Sequence, residues 1–242
     1  MDMMLWDDAF YAAKEYLSHY VDGDRRWIAW NIVIDACLAN NKAQEAMAFL
    51  DDMQYEFAGQ FSYEYAIALK KAPVLELLHR YDEAIALYAS IKKAHYESIP
   101  NNGHAEQDGQ GTKPMLTIEQ QGDIQYRMAK LFMQEQNYSG AEEKLRACMS
   151  FTELDIHHRV QCAYDLAQVQ SLTDREYEAQ ELLYQLWTVQ DLPQTLRAGI
   201  GYLLADILER RGKKAQAKAM YEAVRPIYPN VGVIDMRLKL LK

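Results

Sequence analysis

The chain has 242 residues, half of them apolar, and a net charge of −9. That is ample material for a continuous core, yet no run approaches the roughly 20 apolar residues of a membrane span. An acidic body also disfavours nonspecific nucleic-acid binding, which depends on neutralising phosphates. The charge is uneven: from Arg197 to Lys242 ten Lys and Arg stand against four Asp and Glu, a net +6, which leaves −15 on the first 196 residues. The basic end reads as a solvated cap or as a dock for an acidic partner.

Residues 2–20 place Leu5, Trp6, Ala9, Tyr16, Leu17 and Tyr20 at roughly helical spacing, and Val21-Asp22-Gly23-Asp24 closes that helix with a turn. The segment has neither a basic leader nor an uninterrupted apolar stretch, so a secretory signal is not expected and a cytoplasmic location is. Trp27–Leu38 and Ala43–Tyr55 form a helical pair around Asn40-Asn41. A second pair runs from Tyr63 to His79 and from Asp82 to Tyr96. Pro73 falls inside its first helix, where the missing N–H should kink it. Residues 98–114 are rich in Gly, Pro, Asn and Gln, lose all apolar periodicity, and read as an inserted loop.

Periodicity then resumes. Ile118–Gln134 pairs with Ser139–Ser150, Ile156–Gln170 with Glu176–Trp187, and Thr195–Arg210 with Ala215–Ile227. Residues 231–242 form a last amphipathic helix, with Ile234, Leu238 and Leu241 on one side. The pairs share one register. Ala46, Ala84, Ala141, Ala179 and Ala217 are separated by 38, 57, 38 and 38 residues. Twelve residues before each stand Ile34, Ala72, Ala129, Ala167 and Ala205; four residues after each stand Leu50, Tyr88, Leu145, Leu183 and Tyr221. Helical pairs of this kind cannot bury their own apolar faces and must stack on neighbours like themselves.

The fullest copy, Gly201 to Pro229, resembles a tetratricopeptide repeat. Leu204, Ala205, Leu208, Gly212, Ala217, Tyr221, Val224 and Pro229 stand where that family's loose pattern asks for them, and only Gly201 departs, being small where Trp is usual. Trp30 fills that place in the first pair. The spacing of 38 exceeds the family's usual period of about 34. The resemblance implies an all-α fold, a right-handed α-α superhelix (a TPR-like solenoid) of about five helical hairpins in a single domain. Two repeats would occupy 27–97 and three 118–229, between an N-terminal cap at 1–24 and a C-terminal cap at 231–242. Residues 30–53 alone are also similar to a pentatricopeptide repeat, a reader of RNA; the other pairs lack that likeness, and a nucleic-acid partner is not expected.

In the tetratricopeptide family the groove formed by stacked first helices takes ligands, and the resemblance places Tyr126, Tyr164 and Tyr202 along it, one per repeat. One turn on come Lys130, Gln168 and Asp206, and Asn31 is the counterpart in the first hairpin. Tyrosine offers stacking area and a hydrogen-bonding tip at low entropic cost, which suits a peptide. The competing reading is that these tyrosines fill space between helices. A basic clamp for a terminal carboxylate is not evident, since only Lys130 among these residues is basic.

Catalysis is not expected. The sequence has no phosphate-binding Gly-rich loop, HExxH, CxxC or Gly-x-Ser-x-Gly. His157-His158 point about 100° apart on a helix and cannot share a metal as an i, i+4 pair can, so they read as a helix start. Glu142-Glu143 reads as part of a solvated face. Cys37, Cys148 and Cys162 have no metal-ligand spacing and read as buried reduced thiols. The expected function is a non-catalytic interaction module that binds a peptide or protein segment, without cofactor or metal. A self-associating scaffold, a homo-oligomer, and a peptide-sensing receptor are the alternatives.

Overall fold

The computed structural model describes residues 2–98 and 116–241, so all but the first residue of the expected 98–114 loop lies outside the described residues. Twelve helices and no strand are found among them. Contacts divide the chain into two compact units, Met1–Met115 and Leu116–Lys242. The first unit holds α1 (Asp2–His19), α2 (Arg26–Ala39), α3 (Ala43–Glu56), α4 (Phe61–Leu77) and α5 (Tyr81–Ser98). The second holds α6 (Ile118–Gln134), α7 (Tyr138–Ser150), α8 (Ile156–Leu172), α9 (Glu176–Trp187), α10 (Gln194–Arg210), α11 (Lys214–Val224) and α12 (Val231–Leu240). Within each unit every helix packs on the next, and the hairpins are α2/α3, α4/α5, α6/α7, α8/α9 and α10/α11. Helix α4 continues through Pro73 without interruption.

The shared register is the core. All fifteen residues of the three repeating sets, from Ile34, Ala46 and Leu50 to Ala205, Ala217 and Tyr221, are buried to 1% exposure or less. Where the place four residues after the second-helix Ala is tyrosine, its hydroxyl is satisfied twelve residues upstream. Tyr88 donates to Glu76 at 2.5 Å and Tyr221 to Glu209 at 3.0 Å. Burial pushes the Tyr221 phenol well above the ordinary tyrosine range, and the Glu209 carboxylate adds to it; the group remains a neutral donor.

The five first helices also end alike. Asn41, His79, Gln136, Asp174 and Gly212 adopt φ of 58°, 57°, 57°, 58° and 73°. The next N–H reaches back five residues: Lys42 to Cys37, Arg80 to Leu75, Asn137 to Phe132, Arg175 to Gln170 and Lys213 to Leu208, at 2.8–2.9 Å. That is the Schellman closure, in which one left-handed residue satisfies an orphan helix carbonyl. In four hairpins the residue after the bend is also the N-cap of the second helix, so one short turn both ends a helix and starts the next.

The first and last helices each pack on the hairpin beside them. Ala13 of α1 is buried with Ala29 and Val33 of α2, flanked by Phe10, Tyr16, Leu17 and Phe49. Arg26 ties this corner: its guanidinium donates to Glu56 at 2.6 and 2.5 Å and to the carbonyls of Leu17 and Tyr20 at 2.8 Å, while Trp30 donates to Glu56 at 2.9 Å. At the other end Ile234 is fully buried, and Leu238 and Leu241 pack on the core of the last hairpin. Three of the basic C-terminal residues are ion-paired: Arg225 with Asp235, Arg237 with Asp206 and Glu209, and Arg210 with Glu176.

One expectation is corrected. Cys37 is a free buried thiol, but Cys148 and Cys162 are joined by a disulfide. The short turn between α7 and α8 brings their Cα atoms to 6.4 Å, within bridging range. A second correction concerns Glu142, which does not lie on a solvated face. It accepts from Arg175 at 3.1 and 2.6 Å and from Arg146 at 2.7 Å, with its side chain 19% exposed.

Two substitutions test these packing rules. Gly201, the one departure from the repeat pattern, leaves room for its neighbours: an added Cβ would stand 2.2 Å from Val224 Cγ2 and 2.7 Å from Trp187 Cζ3. Gly201→Ala is expected to destabilise the chain by about 1–3 kcal/mol through overpacking, read as a lower urea midpoint at unchanged slope. Gln136 has no conformational reason to be left-handed. Gln136→Gly is expected to raise stability by about 0.5–1 kcal/mol, the relief of the left-handed penalty less glycine's unfolded-state freedom, seen as a higher melting temperature.

Candidate functional site

The first helices α6, α8 and α10 of the second unit carry six of the seven expected binding residues; Asn31 lies on α2 of the first unit. All seven are half-buried. The helical repeat explains this placement: each follows or precedes a core residue by one position, at the rim of the buried stripe.

The tyrosines rest on the core without entering it. Tyr126 packs beside the α6/α7 cluster, edge-on to His158 with ring centroids 5.6 Å apart, and Lys130 Nζ lies 6.0 Å from its ring. Burial, and then the charge of Asp165 and a hydrogen bond to it, hold the Tyr126 phenol well above its usual range. Burial also raises the Tyr164 phenol, opposed by a hydrogen bond with Gln168. A Cβ at Gly199 of α10 would lie 3.0 Å from the Tyr164 hydroxyl, so bare backbone there lets the phenol reach α10. Tyr202 stacks on Tyr228 at 4.9 Å and hydrogen-bonds Arg237.

Three of the four polar members, Lys130, Asp206 and Asn31, are engaged between neighbouring helices. Lys130 Nζ meets the buried carboxylate of Asp165 at 3.3 Å, which also accepts from Gln161. Asp206 accepts from Arg210 at 3.1 Å and from Arg237 at 3.3 Å. Asn31 accepts from Lys70 at 2.7 Å, and the same ammonium pairs with Asp35 at 2.8 Å. Side chains at these places stitch one hairpin to the next.

Between α8 and α10 lies an open cleft of about 590 Å³, lined by Gln168, Ser171, Leu172, Leu203, Asp206 and Arg210. Two expected residues, Gln168 and Asp206, meet there. Sequence reasoning missed the other four, although Ser171 and Arg210 follow Gln168 and Asp206 by three and four residues, one further helical turn. Leu172 is 60% exposed and gives the cleft an uncovered apolar edge. Arg210 holds Ser171 Oγ at 2.6 Å and Glu176 at 2.5 Å, which fixes the polar wall. His157 and His158 do start α8, as their spacing suggests: the Asp155 carboxylate accepts from both backbone N–H groups, at 2.8 and 3.2 Å.

No protein-family model matches the sequence, and neither does any curated protein. Solved structures do. The chain is similar to a putative kinesin light chain with nearly identical TPR-like repeats from Podosopora anserina, at 19% identity and a TM-score of 0.61, over 84% of this chain and 94% of that one. It is similar to BtubC (BKLC) from P. vanneervenii, at 13% identity and a TM-score of 0.67, over 93% and 89%. It also matches YrrB, described as a TPR protein with an unusual peptide-binding site, at 14% identity and a TM-score of 0.60, over 94% and 99%. The fold is therefore the tetratricopeptide-repeat fold, as the register of alanines implies. Among the described residues no helix is long and apolar enough to cross a membrane.

The stitches have a pH signature. The Arg175 hydrogen bond holds Glu142 below the ordinary carboxylate range, against the opposing effect of burial, with a further contribution from Arg146. A depressed folded-state pKa stabilises above the unfolded value of about 4.3 and is lost as pH falls through the folded one. Glu142→Gln is expected to cost about 1–2 kcal/mol at neutral pH, discounted for the partial exposure of Arg175. The difference from the parent should narrow in urea titrations as pH falls below the unfolded carboxylate value of about 4.3.

Proposed function

We propose that this protein is a non-catalytic interaction module that binds a peptide or protein segment along the first-helix groove of its second unit. The observation that carries the reading is the α8/α10 cleft, with the exposed Leu172 beside Gln168, Asp206 and Arg210. A short apolar strip flanked by fixed hydrogen-bonding groups suits an extended or helical segment with one buried anchor and polar flanks. Tyr126, Tyr164 and Tyr202, packed on the core, form a rigid wall rather than free arms, which lowers the entropic cost of holding a ligand. Similarity to a protein described as having a peptide-binding site adds support at the level of fold. The cytoplasmic location expected from the lack of a leader draws no support from the cysteines, because Cys148 and Cys162 are bridged.

The test uses the full chain. Peptides selected against it from a displayed random library would be measured by fluorescence anisotropy on the parent and on Leu172→Glu. Leu172 is exposed, so the variant should keep the parent's helical spectrum and melting temperature. A loss of about tenfold or more in affinity, roughly 1.4 kcal/mol, supports the groove. Selected peptides that bind both proteins equally would overturn it.

A further inference from the structure

We infer that Cys148, Cys162 and His158, once the disulfide is reduced, form a zinc-binding site at the junction of α7 and α8. A sulfur from each cysteine and a ring nitrogen of His158 all lie within 4.8 Å of one another. His158 and Cys162 stand four residues apart on α8, the spacing that puts two ligands on one face. Cys148 faces them from the end of α7. Two thiolates and an imidazole are a ligand set that zinc favours, with a fourth position left for water.

The surroundings point the same way. Both cysteines are fully buried, and the Cys148–Cys162 Cα distance is 6.4 Å. With bonds of about 2.3 Å to sulfur and 2.0 Å to nitrogen, tetrahedral ligand atoms stand roughly 3.5–3.8 Å apart. Reaching that geometry requires the sulfurs to part and the imidazole to move inward, both side-chain motions. His158 Nε2 is buried and has no hydrogen-bond partner. An orphaned buried nitrogen is costly, and coordination would satisfy it. The Tyr126 ring, edge-on to His158, supports the imidazole from outside.

Disulfide and metal exclude each other. A thiol reductant gives two electrons and two protons to the Cys148–Cys162 bond and leaves as its own disulfide. Zinc(II) then displaces the proton from each thiol and takes the lone pair of His158, releasing two protons to solvent. The metal undergoes no redox change.

The experiment takes the full chain carrying Cys37→Ala, so that only these two thiols remain. After anaerobic reduction and desalting, zinc would be measured per chain, with cobalt(II) as the optical probe. About one zinc per reduced chain and none per oxidised chain is expected, with thiolate-to-cobalt charge-transfer bands and the intense visible bands of a tetrahedral ion. His158→Ala, at a half-exposed position, should lower zinc affinity about tenfold or more while leaving the helical spectrum unchanged. If reduction itself unfolds the second unit, recovery of helicity on adding zinc supports the site. A folded reduced chain that takes up no zinc, equal uptake by His158→Ala, or a reduced chain that zinc does not refold would each overturn the assignment.

Discussion

One left-handed residue per hairpin carries the architecture. At Asn41, His79, Gln136, Asp174 and Gly212 the chain makes a bend that no residue except glycine enters without cost. The closing hydrogen bond to the carbonyl five residues back compensates for it. Because the next residue already begins the second helix, the two helices are joined with almost no slack. The second-helix Ala is then brought to the first helix at a fixed height in every copy. That constraint explains why Ala stands at the second-helix place in every copy and at the first-helix place in four of five, Ile34 being the exception, and why all of them are sealed from solvent. A bulkier side chain at the second-helix place would have to push apart helices that the turn holds together.

This accounts for what could be read from the sequence. Residues whose identity is forced by backbone proximity announce themselves by recurrence: the alanines at 38-residue spacing, the large apolar residue four places on, and the capping stripe of Ile234, Leu238 and Leu241. The turn was legible at Gly212 and at Asn40-Asn41, and not at His79, Gln136 or Asp174. Asn, Asp and His tolerate the left-handed region well enough to stand there, and Gln136 does so against its preference. Gly201 looked like a defect in the pattern; it is instead the clearance for Val224 and Trp187. A missing side chain cannot show in the sequence what fills the space beside it.

Polar positions were less legible because their roles depend on what another repeat supplies. Glu142 looked like one half of a solvated acidic pair, yet Arg175, 33 residues on, draws it inward. Lys130 looked like a free groove cation, yet Asp165, 35 residues on, takes its charge. A repeat of 38 residues offers each polar side chain a partner one copy away. Pairing of this kind commits the charged groups to registry between hairpins, and the uncommitted surface is narrower than the full rim of the first helices. The α8/α10 cleft is such a remainder: Arg210 is committed to Ser171, Asp206 and Glu176, and Leu172 is left open beside it.

The cysteines follow the same logic from the opposite side. Neither Cys148 nor Cys162 has a partner at motif spacing, since 14 residues separate them and a helix boundary intervenes. A search for CxxC or for paired histidines passes over them. What joins them is the turn at residues 151–155, where Asp155 starts α8 by capping His157 and His158. The cap orients the first turn of α8, and one turn further along the same face Cys162 meets Cys148. The reactive cluster is thus assembled by a structural cap and a packing position. Neither type of residue signals chemistry when read alone. In a repeat array, chemistry of this kind is to be sought where consecutive hairpins abut, among residues whose first duty is to pack.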